Sequence, residues 1–273
     1  MKAVRFGFGN NWKDLLNNID KKEIVSAERS LHRWIPYKDL TGKKFLDIGS
    51  GSGLFSLAAW NWNAEVYSFD YDENSVECTR RLKDSVDVEE GRSWIVEQGD
   101  VLDSSYMKKF YGKYDVVYSW GVLHHTGNME KALIEAGKCV VPGGYLFISI
   151  YNDQGFKSRI WRFVKKTYNL TGKRRKKIIL FMTSLYLYGY KTTRYIYRNG
   201  RNIVSERGMN AWNDLVDWVG GYPFEYATAE KIVLFYLGRG FKLVKLKALD
   251  KKNLGCNQFV FERRIIENES KNC

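Results

Sequence analysis

Short apolar runs alternate along the chain with longer stretches in which apolar residues recur every three or four positions. "KKFLDI", residues 43–48, is brief, mostly apolar and followed at once by glycines, which predicts a buried parallel strand. "GLFSLAAWNW" predicts a helix start, "EVYSF" a second strand, and "DENSVECTRRLKDS" a second helix with Asp72 as its N-cap. This β-α-β-α run puts the glycines at the first strand-to-helix turn. Doubly wound sheets bind ligands there, outside the carboxyl ends of their strands. Upstream, "AERSLHRWIP" reads as helical. Downstream, "GFKSRIWRFVKKTYNL" is a basic amphipathic helix, and "TAEKIVLFYLGRG" is a helix capped by Thr228 and stopped at Gly240. "FKLVKLKAL" and "NQFVFERR" alternate well enough to be a final antiparallel pair.

The turn reads G-x-G-x-G, at Gly49, Gly51 and Gly53. A dinucleotide fingerprint, G-x-G-x-x-G, needs its third glycine at the position held by Leu54. Asp47 sits just before the glycines, and Asp70 lies 17 residues past the last of them. A carboxylate at 47 repels a pyrophosphate but attracts a cationic amino group. One at 70 suits a ribose diol. S-adenosylmethionine has an ammonium at one end and a ribose at the other.

Composition bounds the rest. At 273 residues and 44% apolar, the chain can form one sizeable domain, or a domain with an insertion. Aromatics at 15% and only 3 prolines argue against disorder. The 4 cysteines lack metal-ligand spacing, which suits a reducing compartment and argues against structural zinc, so no metal is expected. No apolar run follows Met1, so no secretory signal is expected and the expected location is cytoplasmic.

The net charge of +13 is concentrated. Residues 151–207 hold 15 Lys+Arg against 2 Asp+Glu, and the remainder holds 29 of each sign. That segment reads as an insertion with its own task. Within it, "IILFMTSLYLYGY" is 13 uncharged residues between Lys177 and Lys191, short of the ~20 that span a bilayer. Such a run suits an interfacial helix, a helix that packs on a partner, or a cap pair whose apolar faces bury each other.

The motifs as a set resemble class I S-adenosylmethionine-dependent methyltransferases. "FLDIGSGSGLFS" is similar to their first motif, "VYSFDYD" to the end of their second strand, and "VEQGDVLD" to the loop with an acid near adenine. "YDVVYSWGVLHHT" resembles their fourth strand and "VVPGGYLFISIYN" their fifth. The likeness runs from Lys43 to Asn152. It implies an α/β, Rossmann-like, doubly wound seven-stranded sheet with a terminal antiparallel hairpin and a helical insertion after the fifth strand. The organisation expected is a helical cap (1–42), a cofactor-binding core (43–152), a basic insertion (153–210) and a C-terminal part (211–273) that completes the core and the acceptor site.

The resemblance also implies residue roles. Asp47, Gly49, Ser50, Gly51 and Gly53 hold the methionine part, Asp70 the ribose, Tyr71 and Val101 flank the adenine, Asp100 takes its amino group, and Trp120 lines the cleft. Asn11 and Trp12 would close over the cofactor from the N-terminal segment. A hydroxyl acceptor needs its proton removed, and histidine is the usual base. His124 and His125 follow the fourth strand, with Asp153 as the reserve base. Tyr151 and Asn152, with Trp212, Asp217, Trp218, Tyr222 and Glu225 from the C-terminal patch, make the expected acceptor side.

The histidine pair resembles the quinone-biosynthesis branch, while "DWVGGYPFE" and "LGCNQFVF" resemble a glycan-modifying branch. The function expected is O-methylation of a small molecule, a glycan or a lipid-linked acceptor. The basic insertion adds peripheral contact with an anionic membrane, at its inner face. The alternative is an RNA (tRNA) methyltransferase that grips RNA with the insertion. Against it, the aromatics there cluster in an uncharged run rather than interleaving with basic residues.

Overall fold

The computed structural model describes residues 6–7, 21–87, 91–199, 211–251 and 253–265. Seven strands form one sheet: β1 (Lys44–Ile48), β2 (Glu65–Asp70), β3 (Trp94–Gln98), β4 (Tyr114–Trp120), β5 (Val140–Tyr151), β6 (Phe241–Lys247) and β7 (Cys256–Arg263). The strand order is β3-β2-β1-β4-β5-β7-β6. β1 to β5 pair in parallel, and β7 lies antiparallel between β5 and β6. This is the doubly wound sheet with a terminal hairpin that the sequence predicts. The order reverses between β1 and β4, and a crevice opens there at the carboxyl ends.

The helices follow from local chemistry. α1 (Lys21–Trp34) precedes the sheet, and α2 (Leu54–Asn61) starts directly after the glycine turn. α3 (Glu73–Lys83) begins at Asp72, whose carboxylate accepts the Asn74 amide at 2.9 Å. α4 (Ser104–Met107) and α5 (Met129–Lys138) flank β4 in the chain. α6 (Phe156–Leu170) and α7 (Lys173–Asn199) make the insertion, followed by α8 (Ala211–Gly220) and α9 (Ala229–Leu237). Thr228 caps α9, accepting the Lys231 amide at 3.2 Å. α9 ends at Leu237 with Gly238 as C-cap, earlier than expected; Gly240, at φ 80°, belongs to the turn into β6.

Alternate strand residues feed two cores, one per face. Leu46, Val117 and Leu146 pack with Ala132 and Ala136 of α5 and Ile232 and Tyr236 of α9. Phe45, Val116 and Phe147 pack with Ala27 and Leu31 of α1 and Leu57 and Ala58 of α2. The spacing of Ala27 and Leu31 explains why α1 seats on the sheet's flank. None of its residues reaches the cleft described below.

The insertion splits its faces. α6 buries Ser158, Trp161, Lys165 and Tyr168, one stripe at helical spacing. Phe156 (73% exposed), Phe163 (70%) and Leu170 (60%) lie outside. α7 breaks at Gly189 (φ 70°, ψ 171°), so the uncharged run does not form one continuous helix. Leu180 and Ile196 of α7 join Tyr168, Leu215 and Val219 in a small third core, while Ile178, Met182 and Tyr186 stay exposed.

Leu31→Ala removes a side chain that is 0% exposed between α1 and α2. The expected loss is about 2–5 kcal/mol of unfolding free energy in urea, with ligand affinity unchanged. A loss under about 1 kcal/mol would show that α1 is not part of the core.

Candidate active site

The turn after β1 depends on its glycines. Gly49 (φ 80°), Gly51 (57°) and Gly53 (82°) occupy the left-handed region that side chains avoid. A Cβ on Gly49 would meet both γ-carbons of Val122 at 2.5 Å. The Gly49 and Ser50 amides donate to the Phe69 carbonyl at 2.8 and 3.2 Å, which folds the loop onto the end of β2.

Asp70 fixes the loop from the other side. Its carboxylate accepts the Gly51 amide at 3.0 Å and the Asp72 amide at 2.8 Å. Burial pushes its pKa up to about 6 despite these bonds. Asp47 is 2% exposed and accepts from the Ser56 hydroxyl at 2.5 Å. Ser68 donates to Ser56 at 2.8 Å and Trp94 Nε1 to Ser68 at 2.9 Å, so a hydrogen-bond chain runs from the indole to the carboxylate. Burial pushes Asp47 up to about 7, with the charge of Asp70 adding to it.

These groups border a cleft of about 720 Å³. Six aspartates line it (Asp47, Asp70, Asp72, Asp100, Asp214 and Asp217), and no lysine or arginine does among the described residues. The chain carries a net charge of +13, yet its cleft is acidic. Such a wall favours a ligand with positive charge and hydroxyls, and it repels phosphates. The donor set therefore fits S-adenosylmethionine and not a dinucleotide.

Aromatic side chains and two histidines line the same cleft. A short helical turn, Leu123–His125, follows β4. The carbonyl of Pro223 accepts from His125 Nδ1 at 2.6 Å. An acceptor at Nδ1 fixes the proton there and makes Nε2 the basic nitrogen. Burial, with Lys165 adding, drives His125 down to about 3, so it is neutral at pH 7. His124 is 0% exposed, stands 4.3 Å from the Tyr151 ring centroid, and neither ring nitrogen makes a well-aligned hydrogen bond among the described residues. Burial holds its pKa well below the ordinary value.

Most of the predicted positions converge here. Asp47, Gly49, Ser50, Gly51, Asp70, Tyr71, Asp100, Val101 and Trp120 all border the cleft. So do His124, His125, Tyr151, Asp217, Trp218 and Tyr222. Gly53 does not; it gives the backbone bend that starts α2. Asp153 is not among the residues that border the cleft, and it accepts the Gly155 amide at 2.7 Å in the turn into α6. Asn152 is not on the cleft either: it donates to the Asp250 carbonyl at 3.0 Å and accepts from Asn257 at 3.2 Å, locking β5 to β7. Trp212 packs edge-on to Tyr197 at 5.0 Å in the third core. Glu225 accepts the Met129 amide at 2.9 Å and is a brace for the loop. Asn11 and Trp12 lie outside the described residues, but Phe6 and Gly7 do border the cleft. Lys165 was missed. It sits in a charge run, and only the spacing of Ser158, Trp161 and Tyr168 around it marks it as inward-facing.

A methyltransferase domain model matches residues 20–184. The chain belongs to the methyltransferase domain family. Ubiquinone biosynthesis O-methyltransferase of Erwinia tasmaniensis is 27% identical over 160 residues, 50% of this chain and 63% of that protein. The chain thus spans less than two thirds of this curated relative's length. Magnesium protoporphyrin IX methyltransferase from Synechocystis, solved with bound SAH, superposes with a TM-score of 0.53 at 15% identity, covering 93% of each chain. PKMT2 from Rickettsia typhi, in complex with AdoHcy, gives 0.58 at 12% identity, covering 87% of this chain and 52% of that one. These two likenesses establish the fold. S-adenosylmethionine is the cofactor of this methyltransferase, and the acidic cleft is suited to it.

Two measurements probe the carboxylates. Asp70→Ala removes hydrogen bonds to ligand hydroxyls that are worth roughly 1.5–3 kcal/mol each, so calorimetry should show S-adenosylhomocysteine binding weakened at least tenfold. Unchanged binding would remove Asp70 from the site. Asp47→Asn tests the raised pKa. The folded state holds the proton up to about pH 7, whereas the unfolded chain releases it near 4. Between those values the unfolded state binds fewer protons, so wild-type stability falls as pH rises. Ligand-free Asp47→Asn should therefore melt increasingly above wild type from pH 4 to 7. A constant gap across that range would refute the shift.

Proposed function

We propose that the protein O-methylates a small acceptor hydroxyl, with His125 as the general base. The observation that carries this is the bond from His125 Nδ1 to the Pro223 carbonyl, which makes Nε2 the basic nitrogen of a histidine that lines an acidic cleft suited to the cofactor. Bound S-adenosylmethionine supplies an electrophilic methyl group on a sulfonium. The chain's own residues do the rest. The glycine turn and Asp47 receive the methionine end, Asp70 receives the ribose, and Asp100 with Val101 meets the adenine. Tyr151, Trp218 and Tyr222 wall the acceptor and exclude water. Nε2 of His125 takes the hydroxyl proton as oxygen becomes a nucleophile. A base this weak suits an acidic hydroxyl such as a phenol better than a sugar alcohol. The named activity of the ubiquinone-pathway relatives supports an oxygen acceptor.

The acceptor is membrane-borne in this reading. Among the described residues no helix is long and apolar enough to cross a bilayer. The outer stripe of α6 instead places Phe156, Ile160, Phe163 and Leu170 beside Lys157, Arg159 and Lys166, all exposed. Apolar residues flanked by cations suit the surface of an anionic bilayer. No basic residue of the described insertion lines the cleft, so its charge serves a surface and not the acceptor pocket. Exposed Ile160, Leu170, Ile178 and Met182 give RNA little to hold.

Transfer of labelled methyl into lipid, glycan, RNA and small-molecule fractions identifies the acceptor. With that acceptor, His125→Ala should lower turnover about 10²–10⁴-fold with cofactor affinity unchanged. His124→Ala with the larger loss, and His125→Ala near wild type, would move the base to His124. Sedimentation with anionic vesicles should be salt-sensitive and fall when Lys157, Arg159 and Lys166 become glutamate. Retention of RNA without vesicle binding would favour the RNA reading.

A further inference from the structure

α6 carries three polar side chains at helical spacing, Arg162, Lys165 and Asn169, and each ends on a main-chain carbonyl of one neighbouring segment. Arg162 Nε donates to the Phe224 carbonyl at 3.1 Å. The Lys165 ammonium donates to the Trp218 carbonyl. Asn169 donates to the Gly220 carbonyl at 2.7 Å and to the Lys165 carbonyl at 2.9 Å. Two of the carbonyls close α8 and the third lies four residues past its end. The last carbonyls of a helix lack partners within it and carry its negative pole, so cations and amides there are favoured.

The clamped segment is the one that touches the histidines. Pro223, between Gly220 and Phe224, receives His125 Nδ1 at 2.6 Å. The Glu225 amide donates to the His124 carbonyl at 3.0 Å, and its carboxylate accepts the Met129 amide. A Cβ on Gly221 would come within 2.8 Å of His125 Cε1, so the loop lies directly on the ring edge.

Lys165 is the centre of the clamp. It is 0% exposed, and its Nζ lies 4.4 Å from the Trp218 ring centroid, 5.0 Å from Phe224 and 5.8 Å from Tyr151. Trp218 and Tyr151 line the cleft, whereas Phe224 and Lys165 do not. Burial brings it down to about 7, opposed by Cys256 and Asp217, and its charge lowers both His124 and His125. A cation buried here is costly unless it does something that a methionine could not.

We infer that Lys165 is a positioning residue: with Arg162 and Asn169 it holds the Gly220–Phe224 loop so that Pro223 keeps His125 in its Nδ1–H form. This rests on His125 being the base. It gives the insertion a second task, alongside its outer surface: the inward face of α6 sets the tautomer of the base.

The test needs no acceptor. The chain has 3 histidines, so the ring nitrogens resolve in long-range ¹H–¹⁵N spectra, and His125→Gln assigns the signals. Wild type should show His125 protonated at Nδ1 only. Lys165→Met should shift the ratio toward Nε2–H about tenfold, the worth of one aligned hydrogen bond. Lys165→Arg, which keeps charge and donors, should restore the wild-type ratio at least in part. S-adenosylhomocysteine binding within about threefold of wild type certifies that each variant is folded. If Lys165→Met does not fold, the double variant Arg162→Met with Asn169→Ala is read in its place and should shift the ratio in the same direction. An unchanged tautomer in whichever folded variant is read overturns the inference. A shifted tautomer beside a fully active His125→Ala would keep the clamp and reject His125 as base, so the two failures are distinguishable.

Discussion

Two carboxylates stand at the ends of adjacent parallel strands, Asp47 buried and Asp70 half-buried, and the cleft they border holds no lysine or arginine among the described residues. That constraint orders the rest of the site. Asp47 and Asp70 are each pushed toward the protonated form by burial. The protein meets their demand with hydroxyls and amides, which hold the carboxylates without neutralising them. The Ser56–Ser68–Trp94 chain serves Asp47, and the turn amides of Gly51 and Asp72 serve Asp70. A cationic ligand then completes the electrostatics that the fold leaves unbalanced. Burial disfavours the charged forms of both carboxylates, so a ligand that brings positive charge stabilises the fold as it binds.

The glycine turn is the mechanical side of the same constraint. Asp70 can receive the Gly51 amide only because three left-handed residues bring the chain back toward β2 within a few positions. α2 then starts immediately and places Ser56 beneath Asp47 at 2.5 Å. Position 56 is nine residues past the carboxylate, a spacing set by the tightness of the turn. A looser turn would leave Asp47 buried without its donor.

Local chemistry made this half of the molecule legible in the sequence. The strand–glycine–helix rhythm, the misplaced third glycine and the two acids all lie within a short span, and each fixes backbone geometry or charge directly. Asp72 and Thr228 announced their helices because a cap acts over three residues. The acceptor side was less legible. Trp212, Asn152, Asp153 and Glu225 have the composition of a binding patch, yet they serve the third core, the β5–β7 seam, a turn and a loop brace. Which way a side chain faces there depends on how α6, α8 and the loop after α8 pack, and no local pattern encodes that. Lys165 is the sharpest case. Its neighbours at 157, 159 and 166 are exposed, and it differs from them only in helical phase.

That phase explains how one basic segment can serve two environments. On α6, positions 158, 161, 165 and 168 face inward, and 156, 160, 163 and 170 face outward. The outward stripe is apolar between cations. The inward stripe carries Lys165, whose charge acts on both histidines. The same 15-residue helix donates to the carbonyls of Trp218, Gly220 and Phe224. Those carbonyls flank Pro223, the partner of His125. One helix thus carries both the exposed apolar stripe and the bonds that hold the loop around the His125 partner.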